Sequence, residues 1–410
     1  MAHRVSVLTL SLIAAAVHGG VAGAQVGTTP MPDELGNRLV FSAGDTFTYD
    51  NNLFRLPAGS DGSSVGIFSR QDHIDTINLG VDGHWFAWRQ EFDVSVRAAE
   101  NRFVRNDSLN NVSGTGKFTW DWLINSRLSG TAGYDFNRML ASFANTSFFS
   151  KDLVDTSDYF ATGGLRVTHH WTITSGVKGT MVNHSAAERV GDEFRSTSGN
   201  LALQYMTTEH NSFSVGYGYT DAYFPQTAVL NGEQFDRSYK DSSAQFIVKY
   251  RLGGATQLDA RMGYTERHYP NSRLGAFSGD IWRATLTWTP TAMTQFVVAG
   301  WRELTAYLDS ESDYFVSKGG SATLTWSPTL KIGVSGSAIF NSQRYISNSP
   351  SLVVFDSRHD NLRSYQLNIS YAPRDVVTLI LGFRYDSRDS NLPQLPYEDK
   401  TALAQITLRL

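Results

Sequence analysis

From about residue 40 onward, apolar side chains recur at every second position. In LSGTAGYDF (128–136), Leu128, Gly130, Ala132, Tyr134 and Phe136 share one face, while Ser129, Thr131, Gly133 and Asp135 share the other. In TQLDARMGYTER (256–267), Leu258, Ala260, Met262 and Tyr264 alternate with Gln257, Asp259, Arg261, Thr265 and Arg267. The same alternation runs through SFSVGYGYT (212–220), KIGVSGSAIF (331–340) and VTLILGFRYD (377–386). A period of two, rich in β-branched, aromatic and glycine residues, predicts sheet rather than helix. About eighteen such strands fit the chain, sixteen being the alternative count. The last, KTALAQITLRL, runs to Leu410.

The connections sort by length. Those beside Trp120, His169, Thr208, Leu252, Thr289, Ser327 and Ala372 take only a few residues. Those at 51–71, 139–155, 185–193, 225–237, 346–361 and 389–399 are mostly longer and polar. Short turns on one side and long loops on the other are how outer-membrane barrels are built. A loose repeat supports this: LTWTPTAMTQFVVAGW, LTWSPTLKIGVSGSAIF and ISYAPRDVVTLILGFRY share a strand end, an aromatic, a turn with proline and a new strand. The recurrent aromatics are Trp120, Trp122, Trp171, Tyr205, Tyr250, Trp288, Trp326 and Tyr371. All stand beside short turns, where an amphipathic ring is stabilised at the boundary of hydrocarbon and water, so they are expected to form an aromatic girdle. The expected fold is all-β, a transmembrane outer-membrane β-barrel of antiparallel strands.

The N-terminus refines the domain plan. MAHR is basic, Val5 opens the apolar run VSVLTLSLIAAAV, and Ala22 and Ala24 stand in an A-x-A arrangement. This predicts a secretory signal peptide over 1–24, followed by a periplasmic segment over 25–38 and a barrel over 39–410. No later run has the roughly 20 apolar residues that a spanning helix needs. The expected location is the outer membrane of a Gram-negative bacterium, with lipid and lipopolysaccharide as surroundings.

Composition excludes several functions. The chain has 410 residues, no cysteine and a net charge of −4. Thiolate chemistry is absent, and the basic excess expected of a nucleic-acid binder is missing. The histidines are scattered, and neither G-x-S-x-G nor H-E-x-x-H occurs. No catalytic, metal or cofactor site is expected.

If the apolar face meets lipid, the polar face lines the lumen. Arg97, Lys117, Arg127, Arg166, Lys178, Lys249, Arg261, Arg267, Arg283, Lys331 and Arg384 are expected there, with Asp135 and Asp259 among fewer acids. Such a wall either favours anions or pairs its charges across strands. The acids Asp152, Asp155, Asp158, Glu398 and Asp399 fall in long loops and read as solvated. The first long loop opens with Asn51, Asn52, Leu53, Phe54 and Arg55. Its turn formers stand beside apolar side chains, so these five are the expected constriction of the mouth.

YDNNLFRLP (49–57) also resembles the opening signature of the EpsL family, exopolysaccharide-biosynthesis barrels associated with exosortase B. The similarity continues through RQEFDVSVRAAENRF (89–103) and LNNVSGTGKFTWDWLINSRLSGTAGYDF (109–136), then thins to the general strand pattern. The segment Ala98-Ala99-Glu100 departs from the family. The resemblance implies an outer-membrane pore exporting a polysaccharide, with periplasmic or inner-membrane export components as partners. A general or anion-selective porin is the alternative, and a barrel enzyme that modifies the polymer is a third.

Overall fold

In the computed structural model, residues 36–410 are described except 61, 64–65, 147, 231–232, 271–275, 307–313 and 347–357. The expected signal peptide therefore lies outside the described residues. The chain reads β1 Arg38–Asp50, β2 Asp72–Ala87, β3 Gln90–Phe103, β4 Asn111–Leu123, β5 Leu128–Leu140, β6 Leu153–Arg166 and β7 Trp171–His184. It continues as β8 Phe194–Met206, β9 Ser212–Tyr223, β10 Ala228–Leu230, β11 Glu233–Phe235, β12 Tyr239–Leu252, β13 Thr256–His268 and β14 Phe277–Thr291. The last elements are β15 Thr294–Ala306, β16 Tyr314–Trp326, β17 Ile332–Ile346, β18 His359–Arg374, β19 Val377–Ser390 and β20 Tyr397–Arg409. Apart from the small β10–β11 hairpin, which sits in a loop, these form one 18-stranded sheet. Each strand pairs antiparallel with the next, and β1 pairs with β20 from Ser42–Arg409 to Asp50–Thr401. The sheet is thereby a closed barrel of eighteen strands, not sixteen. Closure satisfies every ladder and removes the edge that lipid could not solvate.

Directly paired residues share a face, so the register carries two faces around the barrel. Phe41 pairs with Val81, Ala43 with Leu79, Trp85 with Phe92, and Phe92 with Trp120. This outward face is apolar. Thr46 pairs with Thr76, Thr76 with Asn101, Ser95 with Lys117, and Lys117 with Asp135. This inward face is polar. All eight girdle aromatics lie on the outward face near short turns. Trp122 lies across Gly130 and Gly163, and a Cβ at Gly130 would come within 2.3 Å of its ring.

Toward the long-loop end, the outward face also turns polar. Arg138 meets Asp155 at 2.7 Å, Lys240 meets Asp221 at 3.8 Å, and Arg302 meets Asp280 at 2.8 Å. The strands therefore run beyond the apolar band. Buried apolar clusters also gather at this end, inside the barrel. One joins Phe54, Leu56, Ile67, Phe103, Leu109 and Phe143. Another joins Val154, Val182, Phe194, Ala222, Tyr239 and Phe277 with the loop residues Phe224 and Tyr269.

Candidate functional site: the lumen and its mouth

The mouth is built from the first long loop. Asn51 accepts from the Lys400 amide at 2.7 Å, and Asn52 donates to the carbonyls of Leu56 at 2.9 Å and Glu398 at 2.8 Å. Both asparagines thus clamp the loop onto β20. Arg55 adopts φ 58° and points back between Asp50 and Asp399, 3.1 Å from each carboxylate. Burial works to lower its pKa, and the two carboxylates outweigh burial, holding it above the ordinary arginine value. Phe54 packs 4.7 Å from Phe143, ring centre to ring centre.

Phe143 belongs to the loop 141–152 and is buried. Its base is fixed by Asp152, which accepts from His184 at 2.7 Å and from the amides of Ser185 and Ala186. Burial pushes the Asp152 carboxyl up, but the hydrogen bonds from His184 and the Ala186 amide outweigh it and hold the pKa below the usual value. The tip is held by Arg388, on the inward face of β19. Its guanidinium donates to the Ala144 carbonyl and, at 2.8 Å, to Asn145 Oδ1, while Nε donates to the Leu395 carbonyl at 2.7 Å. In the barrel order β19 is separated from β5 by β20 and β1 to β4. The loop therefore spans part of the lumen mouth.

Below the mouth, the inward face divides into sectors. On β2 to β7, Arg97 pairs with Asp82 at 3.1 Å and Lys178 with Asp158 at 3.2 Å. On β12 to β15, Arg267 pairs with Asp241 at 2.7 Å, and Glu303 receives both Arg261 at 3.2 Å and Arg283 at 2.8 Å. From β16 through β20 to β1 the wall is different. Thr323 pairs with Ser337, Ser337 with Gln366, Ser335 with Asn368, Ser370 with Ile380, Ile380 with Gln405, and Gln405 with Thr46. Between the Arg384–Asp386 pair and the rim residues Arg409 and Arg38, these inward positions carry hydroxyl, amide or apolar side chains and no charge.

Residues 226–410, a little under half of the chain, match the family model described as "Putative beta-barrel porin 2". This part of the barrel, β10 to β20, is similar to that porin family. Solved structures of similar shape include Pseudomonas aeruginosa OpdK with vanillate, at 9% identity and TM-score 0.49, covering 91% of this chain and 99% of that one. Pseudomonas aeruginosa OccK2 (OpdF) in complex with glucuronate is similar at 8% identity and TM-score 0.48, covering 91% and 98%. No curated protein sequence matches.

In this porin-like barrel, Arg97, Lys117, Asp135, Arg166, Lys178, Lys249, Asp259, Arg261, Arg267, Arg283 and Arg384 stand at inward register positions. Arg127 and Lys331 do not. Each precedes its strand by one residue and lies exposed in a short turn. The acids are not fewer than the bases, because Asp158, Asp241, Glu303, Asp360 and Asp399 also face inward. Asp158 and Asp399, expected as solvated loop acids, are on strands. Asp152 is a buried loop anchor, not a solvated acid. Asn51, Asn52 and Arg55 hold the first long loop to β20, and Phe54 packs on Phe143 of the loop 141–152. Lys117, Arg166, Lys249 and Arg251 make no ion pair among the described residues.

Proposed function

We propose that the barrel is an outer-membrane channel for a hydroxyl-rich saccharide, and that its cargo is an exopolysaccharide leaving the cell. The observation that carries this is the uncharged lane of Thr323, Ser335, Ser337, Gln366, Asn368, Gln405 and Thr46 along one side of the lumen. Hydroxyl and amide groups exchange hydrogen bonds with a sugar at little net cost, and a lane without fixed charge does not trap counter-ions. The direction of transport, and partnership with periplasmic or inner-membrane export components, rest on the resemblance to the EpsL family. The chain contributes a path and no energy source.

The test is twofold. In planar bilayers, a neutral oligosaccharide should block current in a concentration-dependent way, and Gln366→Leu with Asn368→Leu should weaken block about tenfold while conductance persists. In cells, deleting the gene should leave polymer in the periplasm. Normal secretion together with absent sugar block would defeat the reading. An anion-selective porin is the second reading, favoured by the lone bases Lys117, Lys249 and Arg251. It predicts anion-selective reversal potentials and no sugar block.

A further inference from the structure

We propose that the short-turn end of the lumen carries a divalent transition-metal site built by His84 and Glu91, positioned by Asp93. The site goes beyond the saccharide reading and does not depend on it.

The β2–β3 hairpin turns through residues 88–89, so Ala87 faces Gln90 and His84 faces Asp93. Alternation then puts His84, Glu91 and Asp93 on one inward face. Their ligating atoms all lie within 4.8 Å of one another. The two imidazole nitrogens have different partners. Nδ1 stands 2.6 Å from Asp93 Oδ1, and Nε2 stands 3.9 Å from Glu91 Oε1. The first is the geometry in which a carboxylate accepts a hydrogen bond from one ring N–H and fixes the tautomer of a metal-binding histidine. The second is close to the separation of two ligands sharing one tetrahedral zinc, about 3.4 Å for bonds of about 2.0–2.1 Å. A shift of a few tenths of an ångström would place an ion between Nε2 and Glu91.

The surroundings favour a cation. Asp121 pairs directly with Glu91 across β3 and β4, and its carboxylate accepts from Thr131. Asp82, two residues from His84 on the same face, meets Arg97, and Arg38 stands opposite His84 across β1 and β2 without an ion pair among the described residues. Phe86 holds the imidazole edge-on at 4.5 Å. All three groups ride on paired strands, so little order is lost on binding. Imidazole with carboxylates suits zinc and its neighbours better than calcium or magnesium. Open coordination positions face the lumen, where water or a passing solute completes the shell. Bound there, the ion offsets the local negative charge and ties β2 to β3 at the rim.

The experiment uses the tag-free, refolded full barrel in detergent, with ZnCl2 measured by titration calorimetry and equilibrium dialysis. His84→Gln and Glu91→Gln should each weaken one saturable site by at least tenfold. Asp93→Asn should weaken it by about 10- to 100-fold, as loss of an orienting carboxylate does. Zinc added at the short-turn side should lower single-channel cation current in the wild type and not in His84→Gln. Barrel assembly is checked by heat-modifiable gel mobility, and if His84→Gln does not assemble, Glu91→Gln decides. Zinc binding unchanged in an assembled His84→Gln or Glu91→Gln barrel would overturn the site, whatever the sugar experiments show.

Discussion

Replacing Arg388 tests whether the loop 141–152 closes the mouth. Arg388 reaches this loop by donating to the Ala144 carbonyl and to Asn145 Oδ1, the latter at 2.8 Å, and its guanidinium stacks 4.8 Å from the Tyr397 ring centre. A hydrogen bond involving a charged group contributes about 1.5–3 kcal/mol. Two such bonds give about 3–6 kcal/mol gross. Water at the mouth replaces part of this in Arg388→Ala, so about 2–3 kcal/mol of closure should be lost. At about 1.4 kcal/mol per tenfold, the ratio of closed to open mouths should fall by about 30- to 150-fold. Single-channel recording in planar bilayers reads this directly, as longer dwell in a larger conductance level. Arg388→Lys keeps the charge without the fork and should fall between wild type and alanine. The loop base at Asp152 is untouched, so assembly should persist. An Arg388→Ala channel with wild-type conductance levels and dwell times would refute the loop as the closing element.

Glu303→Gln removes the carboxylate shared by Arg261 and Arg283 and should raise anion over cation permeability about 2- to 5-fold, since one unpaired charge contributes on the order of 1 kcal/mol near water. Reversal potential in a KCl gradient checks it, and no shift would mean the wall charges do not set selectivity. Acid should loosen the loop 141–152. The Asp152 pKa is depressed in the folded barrel, so its stabilising bonds are fully present above the unfolded value of about 3.9 and are lost as pH falls through the lower folded value. Channel noise should therefore rise below about pH 4, and Asp152→Asn should abolish that acid dependence. Trp88 has φ 62° in the tight β2–β3 turn and is fully exposed. Trp88→Gly should relieve about 1–2 kcal/mol of left-handed strain, read as a higher urea midpoint of unfolding in lipid. A lower midpoint would show that the ring makes a stabilising contact with lipid.

The barrel was legible in the sequence because a strand between lipid and water must alternate, and because assembly sorts short turns from long loops. The outward positions of Trp171, Trp288 and Trp326 beside short turns follow from the same alternation. The strand ends at the mouth were not. Beyond the apolar band, Asp155, Glu398 and Lys400 face outward into polar surroundings while Asp158 and Asp399 face inward. With both faces polar, the period of two loses its contrast, and paired strand reads as acidic loop. Arg127 and Lys331 were displaced by a single residue at a turn, which alternation does not resolve. The contact between Arg388 and Asn145 joins residues 243 apart, and nothing local announces it. His84 facing Asp93 follows from a two-residue turn at 88–89, so that pair was latent in the pattern once the hairpin was placed.

The distribution of lumen charge bears on cargo more than its sum does. A basic excess would concentrate anions everywhere in the pore. Here the inward charges below the mouth fall mainly in two blocks, β2 to β7 and β12 to β15, and much of each block is neutralised internally by pairs such as Lys178–Asp158 and Arg283–Glu303. The residual field is therefore short-ranged, screened within about 8–10 Å at physiological ionic strength. The lane from β16 to β1 lies outside both blocks. A polar solute without charge meets partners for its hydroxyl groups there, and neither block attracts it strongly enough to hold it. An anion is drawn instead toward Lys117, Lys249 or Arg251, away from the lane. On the proposed reading, one barrel conducts ions along its charged walls and guides a sugar along its neutral one. Sugar block and ion selectivity should accordingly respond to different substitutions: Gln366 and Asn368 for the first, Glu303 for the second.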